Sequence, residues 1–202
     1  MRKGFFVTLI TTVVRVVLFF WHPVFRVIGR NNVPESGRLM ICANHSGMAD
    51  PIWIYFALKL GHVPRIMAKQ EVMKVPVLSQ LLRYFGVFGV DRDGADVNAV
   101  KTALRCLNDE QQLLIFPEGT RVRFGTSVEP RRGAATLAAR TNTPILPVYL
   151  TQKRRPFSPL VCVIGEPYFL QYEGKRATDE ELQKCSEDLM QRIYRLGEMY
   201  ES

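Results

Sequence analysis

The chain has 202 residues, enough for one sizeable core and too few for two ordinary domains. Hydrophobic residues make up 47% and charged residues 23%, a balance that excludes wholesale disorder. A formal net charge of +8 attracts polyanions, whether nucleic acid, an anionic membrane face or a phosphorylated substrate. The basic residues are scattered, with no run of five or more, and no helix-turn-helix, zinc-finger or aromatic-interleaved basic repeat points to nucleic acid.

Gly4–Trp21 reads GFFVTLITTVVRVVLFFW, an apolar stretch with a single charge at Arg15. No small-residue cleavage site follows it, so it does not read as a signal peptide. Plotted as a helix continuing to about Ile28, it gathers Thr8, Thr11, Thr12, Arg15, His22 and Arg26 near one narrow stripe. Arg near the middle is unfavourable in a simple membrane span, whereas a helix lying in the interface turns that stripe to water or headgroups. The competing reading is a buried core helix, which would need extensive cover. Membrane association is the better reading, and it divides the chain into a membrane-associating segment, residues 1–30, and a globular domain, residues 31–202. Anchoring is expected at the cytoplasmic face of the cell membrane, on an anionic lipid surface.

From Asn31 onward neither linker nor repeat interrupts the chain. Arg38–Ala43 reads as a short buried strand, followed by helices over Pro51–Leu60 and Pro76–Phe85. Gly86–Val90 is strand-like, and Asp96 caps a helix whose apolar face is Val97, Val100, Leu104 and Leu107. Gln112–Phe116 is a nearly continuous apolar run stopped by Pro117, the pattern of a parallel strand buried on both faces. Gly133–Arg140 is helical, Pro144–Leu150 is a strand, and Leu160–Leu170 is a strand region broken at Gly165–Pro167. Thr178 and Glu181 form a capping box before a helix that buries Leu182, Leu189, Ile193 and Leu196. This alternation predicts an α/β fold: a single domain with a largely parallel mixed sheet flanked by helices.

Chemistry in such folds gathers at the carboxyl ends of the strands. There the sequence places Asn44-His45-Ser46-Gly47-Met48-Ala49-Asp50-Pro51, with Asp50 at the N-cap and Pro51 at the first helical position. The short, Gly47-containing loop can fold His45 against Asp50, fixing the tautomer and leaving the second ring nitrogen to take a proton. The bland alternative is a loop histidine beside a capping aspartate. His62 has no nearby carboxylate, and His22 falls in the membrane segment. After Gln112–Phe116 comes Pro117-Glu118-Gly119-Thr120-Arg121, and after Gly86–Val90 comes Asp91-Arg92. Arg92 and Arg121, with Lys69, Arg131 and Arg132 available nearby, make an anion pocket beside a candidate base. The four cysteines, Cys42, Cys106, Cys162 and Cys185, are widely spaced without a C-x-x-C pair, so neither a disulfide framework nor a metal site is expected.

NHSGMAD resembles the N-H-x-x-x-x-D motif, and FPEGTR the second signature, of the glycerolipid acyltransferases. The likeness is strongest to the bacterial branch that makes phosphatidic acid, and it extends from about Arg38 to Leu150. GVFGVDR (Gly86 to Arg92), PILPVYL around Pro147, and the stretch holding Lys69, Glu71 and Pro76 resemble weaker blocks of the same family. The chain departs from the pattern at Ser79, where glycine is usual, and in VRFGTSVEPRRGA after FPEGTR.

The resemblance implies acyl transfer from a thioester of acyl carrier protein or coenzyme A to the free sn-2 hydroxyl of lysophosphatidic acid, with no bound cofactor and no metal. It implies His45 as general base, Asp50 stabilising the imidazolium, and Arg92 and Arg121 holding the acceptor phosphate. Glu118 would orient Arg121 or the loop, and backbone N–H groups near Gly119 would receive the oxyanion. Thr120 and Lys69 complete the substrate-binding set. Ser46 is not a nucleophile candidate, because neighbours in an extended loop point apart and no G-x-S-x-G elbow is present. Two other readings are a hydrolase using the same pair to activate water, and a non-catalytic basic protein for which His45 has no special role. The phosphate-binding arginines favour the transferase.

Overall fold

The computed structural model describes residues 12, 13, 16, 20–60, 62–74, 78–84, 86–90, 96–153, 155 and 157–201. Seven strands form one sheet: β1 (Phe25–Ile28), β2 (Leu39–Ala43), β3 (Arg65–Lys69), β4 (Val87–Val90), β5 (Gln112–Ile115), β6 (Ile145–Leu150) and β7 (Leu160–Ile164). Among the described residues, helices α1 (Asp50–Leu58), α2 (Leu78–Tyr84), α3 (Val97–Asn108), α4 (Gly133–Thr141) and α5 (Asp179–Glu201) flank it. The strand order is β1-β7-β6-β2-β5-β3-β4. All pairings are parallel except β6 with β7, so β1 and β7 run against the other five. The expected mixed, largely parallel α/β domain is present.

All five residues of β2 are buried, because helices cover both faces of the sheet. Leu39, Ile41 and Ala43 face α1 through Trp53, Ile54 and Ala57. Met40 and Cys42 face the opposite layer, built from Ala103 and Leu107 of α3, Leu137 of α4, and Leu189 and Ile193 of α5. Burial without a charge partner raises the Cys42 thiol well above its ordinary range, and Cys106 is pushed up to about 11, so both behave as core apolar groups.

Several expectations are corrected. Phe25–Ile28, expected to continue the apolar N-terminal helix, instead forms β1, paired in register with Leu160–Val163. Its branched and aromatic residues satisfy a sheet edge that a helix would leave unpaired. The chain then turns at Gly29 (φ +74°), where a Cβ would lie 2.0 Å from Ile164 O, so only glycine fits. His22 is a core residue: it is buried, its Nδ1 lies 2.8 Å from Ser158 O, and its ring meets Trp53 edge-on. The buried face of α3 is Ala99, Ala103, Cys106 and Leu107, while Val97 and Val100 are exposed. Small residues there let α3 approach the sheet closely. β3 is a strand that the sequence reading did not mark.

The caps agree with expectation at both later helices. Asp96 accepts a hydrogen bond from Ala99 N at 2.9 Å, and Thr178 and Glu181 exchange reciprocal bonds of 3.2 and 2.7 Å. Of the N-terminal stretch, Thr12, Val13, Val16, Phe20 and Trp21 are described and helical, and the remaining positions before Phe20 lie outside the described residues. Among the described residues no helix is long and apolar enough to cross a membrane.

Candidate active site

The parallel registers bring the ends of β2, β5 and β6 to one edge of the sheet, and the loops leaving them meet there. Asn44, first after β2, is fully buried and bonds both ways with Leu150 at the end of β6. Its Nδ2 donates to Leu150 O and its Oδ1 accepts from Leu150 N, each at 2.8 Å. The side chain thereby extends the sheet pairing by one step and holds the following residue in place.

That residue is His45. Its Nδ1 lies 2.9 Å from Asp50 Oδ2. The same carboxylate oxygen accepts the amides of Ser46 at 2.7 Å and Gly47 at 2.9 Å, which folds the loop back as Gly47 allows. Asp50 is fully buried and stands one position inside α1, with Ala49 at the N-cap, a shift of one from the expected capping position. Phe116 stacks on the imidazole, with ring centroids 4.2 Å apart and planes at 22°. The backbone is tied as well: His45 N donates to Glu118 Oε2 at 2.7 Å, and Val122 N donates to His45 O at 2.7 Å. With Nδ1 engaged by Asp50, Nε2 is the nitrogen left to accept a substrate proton.

Glu118 points inward and is 4% exposed. Its Oε1 accepts the Tyr194 hydroxyl from α5, so the carboxylate links the histidine loop to that helix. Burial raises the Glu118 carboxyl above its ordinary value, opposed by the hydrogen bonds from Tyr194 and His45 N. Tyr194, in turn, is raised by burial and by the adjoining Glu118 carboxylate.

Gly119 adopts φ +67°, with the Arg131 side chain lying where a Cβ would sit. Its N–H donates to Phe116 O at 3.0 Å, so this amide is committed within the turn. Thr120 and Arg121 are exposed at the rim. Arg131 is anchored through its N–H to Pro117 O, and Arg132 is turned away into an ion pair with Asp179 at 2.9 Å. Lys69 ends β3 in register with Val90, so its backbone lies on the same sheet edge. Arg92 lies outside the described residues. Asn44, Phe116 and Tyr194 are site residues to which the sequence reading assigned no role. Asn44 and Phe116 stood inside the quoted motifs, whereas Tyr194 carried no local signal.

The family model for Acyltransferase matches residues 24–151, well over half of the chain. The chain belongs to the Acyltransferase family. The matched region runs from β1 through β6 and contains His45, Asp50, Glu118 and Arg121; Tyr194 lies beyond it. A 1-acyl-sn-glycerol-3-phosphate acyltransferase of Borreliella burgdorferi is 32% identical over 130 residues, covering 61% of this chain and 50% of the relative. One of the same name from Bacillus subtilis is 28% identical over 179 residues, covering 85% and 87%. The family member thus spans half the length of the first relative and most of the second. The crystal structure of the 1-acyl-sn-glycerophosphate (LPA) acyltransferase PlsC from Thermotoga maritima shares the fold, with a TM-score of 0.69 at 24% identity, covering 92% of this chain and 75% of that one.

Proposed function

We propose that this family member transfers a fatty acyl group from a thioester of acyl carrier protein or coenzyme A to the sn-2 hydroxyl of lysophosphatidic acid, giving phosphatidic acid. The observation that carries the reading is the 2.9 Å pair between His45 Nδ1 and Asp50 Oδ2, held on a backbone tied at both N and O. The names of the Borreliella and Bacillus relatives supply the substrate class.

The steps balance within the two substrates. His45 Nε2 takes the proton of the acceptor hydroxyl as its oxygen attacks the thioester carbonyl. Asp50 stabilises the imidazolium so formed. The tetrahedral adduct then breaks its C–S bond, and the departing sulfur recovers the proton from Nε2. Arg92 and Arg121, with Thr120 and Lys69 along the same edge, hold the acceptor phosphate so that its hydroxyl meets His45. No resident cofactor is needed for this sequence of bonds.

The same proposal puts the reaction at the cytoplasmic face of the cell membrane. Val13, Val16, Phe20 and Trp21 are exposed apolar residues of the N-terminal stretch. Phe157 N donates to Trp21 O at 2.9 Å, and both side chains are exposed. Because β1 and β7 run opposite to β6, Trp21 and Phe157, which precede those two strands, lie at the end of the sheet that carries His45. Met48, in the His45 loop, is 80% exposed. Such a rim suits contact with acyl chains, while the basic surface suits anionic headgroups.

The test is to incubate purified protein with labelled acyl-coenzyme A or acyl carrier protein and a panel of acceptors, identifying products by mass spectrometry. Phosphatidic acid from lysophosphatidic acid is expected. Free fatty acid as the only product would make the protein a hydrolase, and no turnover with any pair would leave only the binding reading.

A further inference from the structure

The Glu118 carboxylate bridges two segments separated widely in sequence. One oxygen accepts the backbone N–H of the catalytic histidine at 2.7 Å, and the other accepts the Tyr194 hydroxyl from the C-terminal helix. Gln152, just beyond β6, contacts the same hydroxyl at 3.5 Å.

The helix does not need this bond for docking. Leu189, Met190 and Ile193 already bury α5 against the sheet. A phenylalanine would pack the ring of residue 194 equally well, without a polar atom beside a buried carboxylate. The hydroxyl is informative because of what it touches: a carboxylate whose other oxygen holds the base. A carboxylate donated to from both ends is fixed in rotation, and the His45 backbone is fixed with it.

We propose that Tyr194 is a positioning residue for acyl transfer, acting through Glu118 to hold the His45 backbone and so to aim its Nε2, which makes the C-terminal helix part of the machinery. This inference rests on the acyl-transfer reading above, yet its central contact can be followed without turnover.

The direction of the pH effect follows from the groups that face Glu118. His45 approaches from the loop after β2, Asp50 from the start of α1, and Tyr194 from α5, with Tyr149 of β6 and Gln152 behind it. Burial disfavours the carboxylate; the Tyr194 and His45 donors favour it. Deleting the hydroxyl removes one stabilising donor, so Glu118 takes up its proton at higher pH. The His45 amide, bonded to Glu118 Oε2, reports that proton by its chemical shift.

The experiment compares wild type, Tyr194→Phe, Glu118→Gln and the double variant as full chains in detergent. In wild type the His45 amide signal should titrate with Glu118, and in Tyr194→Phe its midpoint should rise by about one pH unit. Glu118→Gln should abolish that titration. With lysophosphatidic acid as acceptor, Tyr194→Phe should lower kcat about tenfold and leave the acceptor KM within about twofold. The double variant should be no slower than Glu118→Gln, because both changes break one relay. An unmoved amide midpoint, a rise in KM with kcat intact, or additive losses in the double variant would each overturn the proposal. If Tyr194→Phe does not fold, Glu118→Gln decides: persistence of the wild-type amide titration rejects the bridge. Inactive wild type with any acceptor would remove the acyl-transfer reading, while the amide titration would still judge the Tyr194–Glu118–His45 connection.

Discussion

His45 is held by four contacts: the Asp50 carboxylate on Nδ1, an aromatic face, and hydrogen bonds at its backbone N and O. This is the rigidity a general base requires, since a misplaced proton acceptor loses most of its effect. Replacing His45 by Ala should lower kcat by about 10²–10⁴-fold with little change in acceptor binding. Near-normal turnover in a folded variant would remove His45 from the mechanism. Arg121 is exposed at the rim, free to reach a ligand. Its loss to Ala should raise the KM for a phosphate-bearing acceptor by about 10- to 100-fold, from a charge-assisted bond of about 1.5–3 kcal/mol. An acceptor without phosphate should be indifferent to the change; equal impairment of both acceptors would show that Arg121 serves something other than phosphate. The His45–Asp50 pair was legible in sequence because five positions of loop can close it locally. The inward direction of Glu118 was not, since its hydroxyl partner is 76 positions away.

At the level of elements, α5 shows how packing overrides local preference. Gly197 lies well inside this helix, where Ala would ordinarily be better by about 0.5–1 kcal/mol. A Cβ there would lie 2.4 Å from Tyr149 Cζ on β6, so the glycine is required by the close approach of helix and sheet. Gly197→Ala should therefore destabilise by about 1–3 kcal/mol through overpacking, against the gain expected on an open helix face. Thermal melting should show a fall of about 2–4 °C for each kcal/mol. A higher Tm would mean that Tyr149 moves aside readily. The same principle explains α3. Its valines are apolar but exposed, whereas its alanines are buried, and hydropathy alone cannot distinguish them.

For the whole molecule, the proposed lipid contact would combine an apolar rim with a net charge of +8. The apolar term should dominate, since each basic residue adds only about 1 kcal/mol near an anionic leaflet. Full-length protein should float with anionic vesicles, come off only partly in high salt, and be released by detergent. Recovery in the soluble fraction at low salt would defeat the anchoring proposal. A shortened protein used to test the anchor has to keep β1, because a chain starting at Asn31 would strip β7 of its partner and expose a sheet edge. A chain starting at Trp21 retains the His22–Ser158 bond and β1, and should fold while binding vesicles less.

Features set within a few residues were readable from the chain by itself: the alternation of strands and helices, the buried run of β5, the Thr178–Glu181 cap, and the His45–Asp50 loop. In each, spacing and side-chain chemistry act over one turn or one strand, so neighbours in sequence are the interacting partners. Tertiary structure decided what depends on distant segments. It recruited Phe25–Ile28 into the sheet as the parallel partner of β7, over 130 positions further on. It buried His22 against Trp53 and Ser158, and it committed the Gly119 amide to a turn. It also brought Tyr194 to Glu118. An apolar run carries the same pattern whether lipid, a helix layer or a neighbouring strand covers it, and only the assembled fold selects the cover.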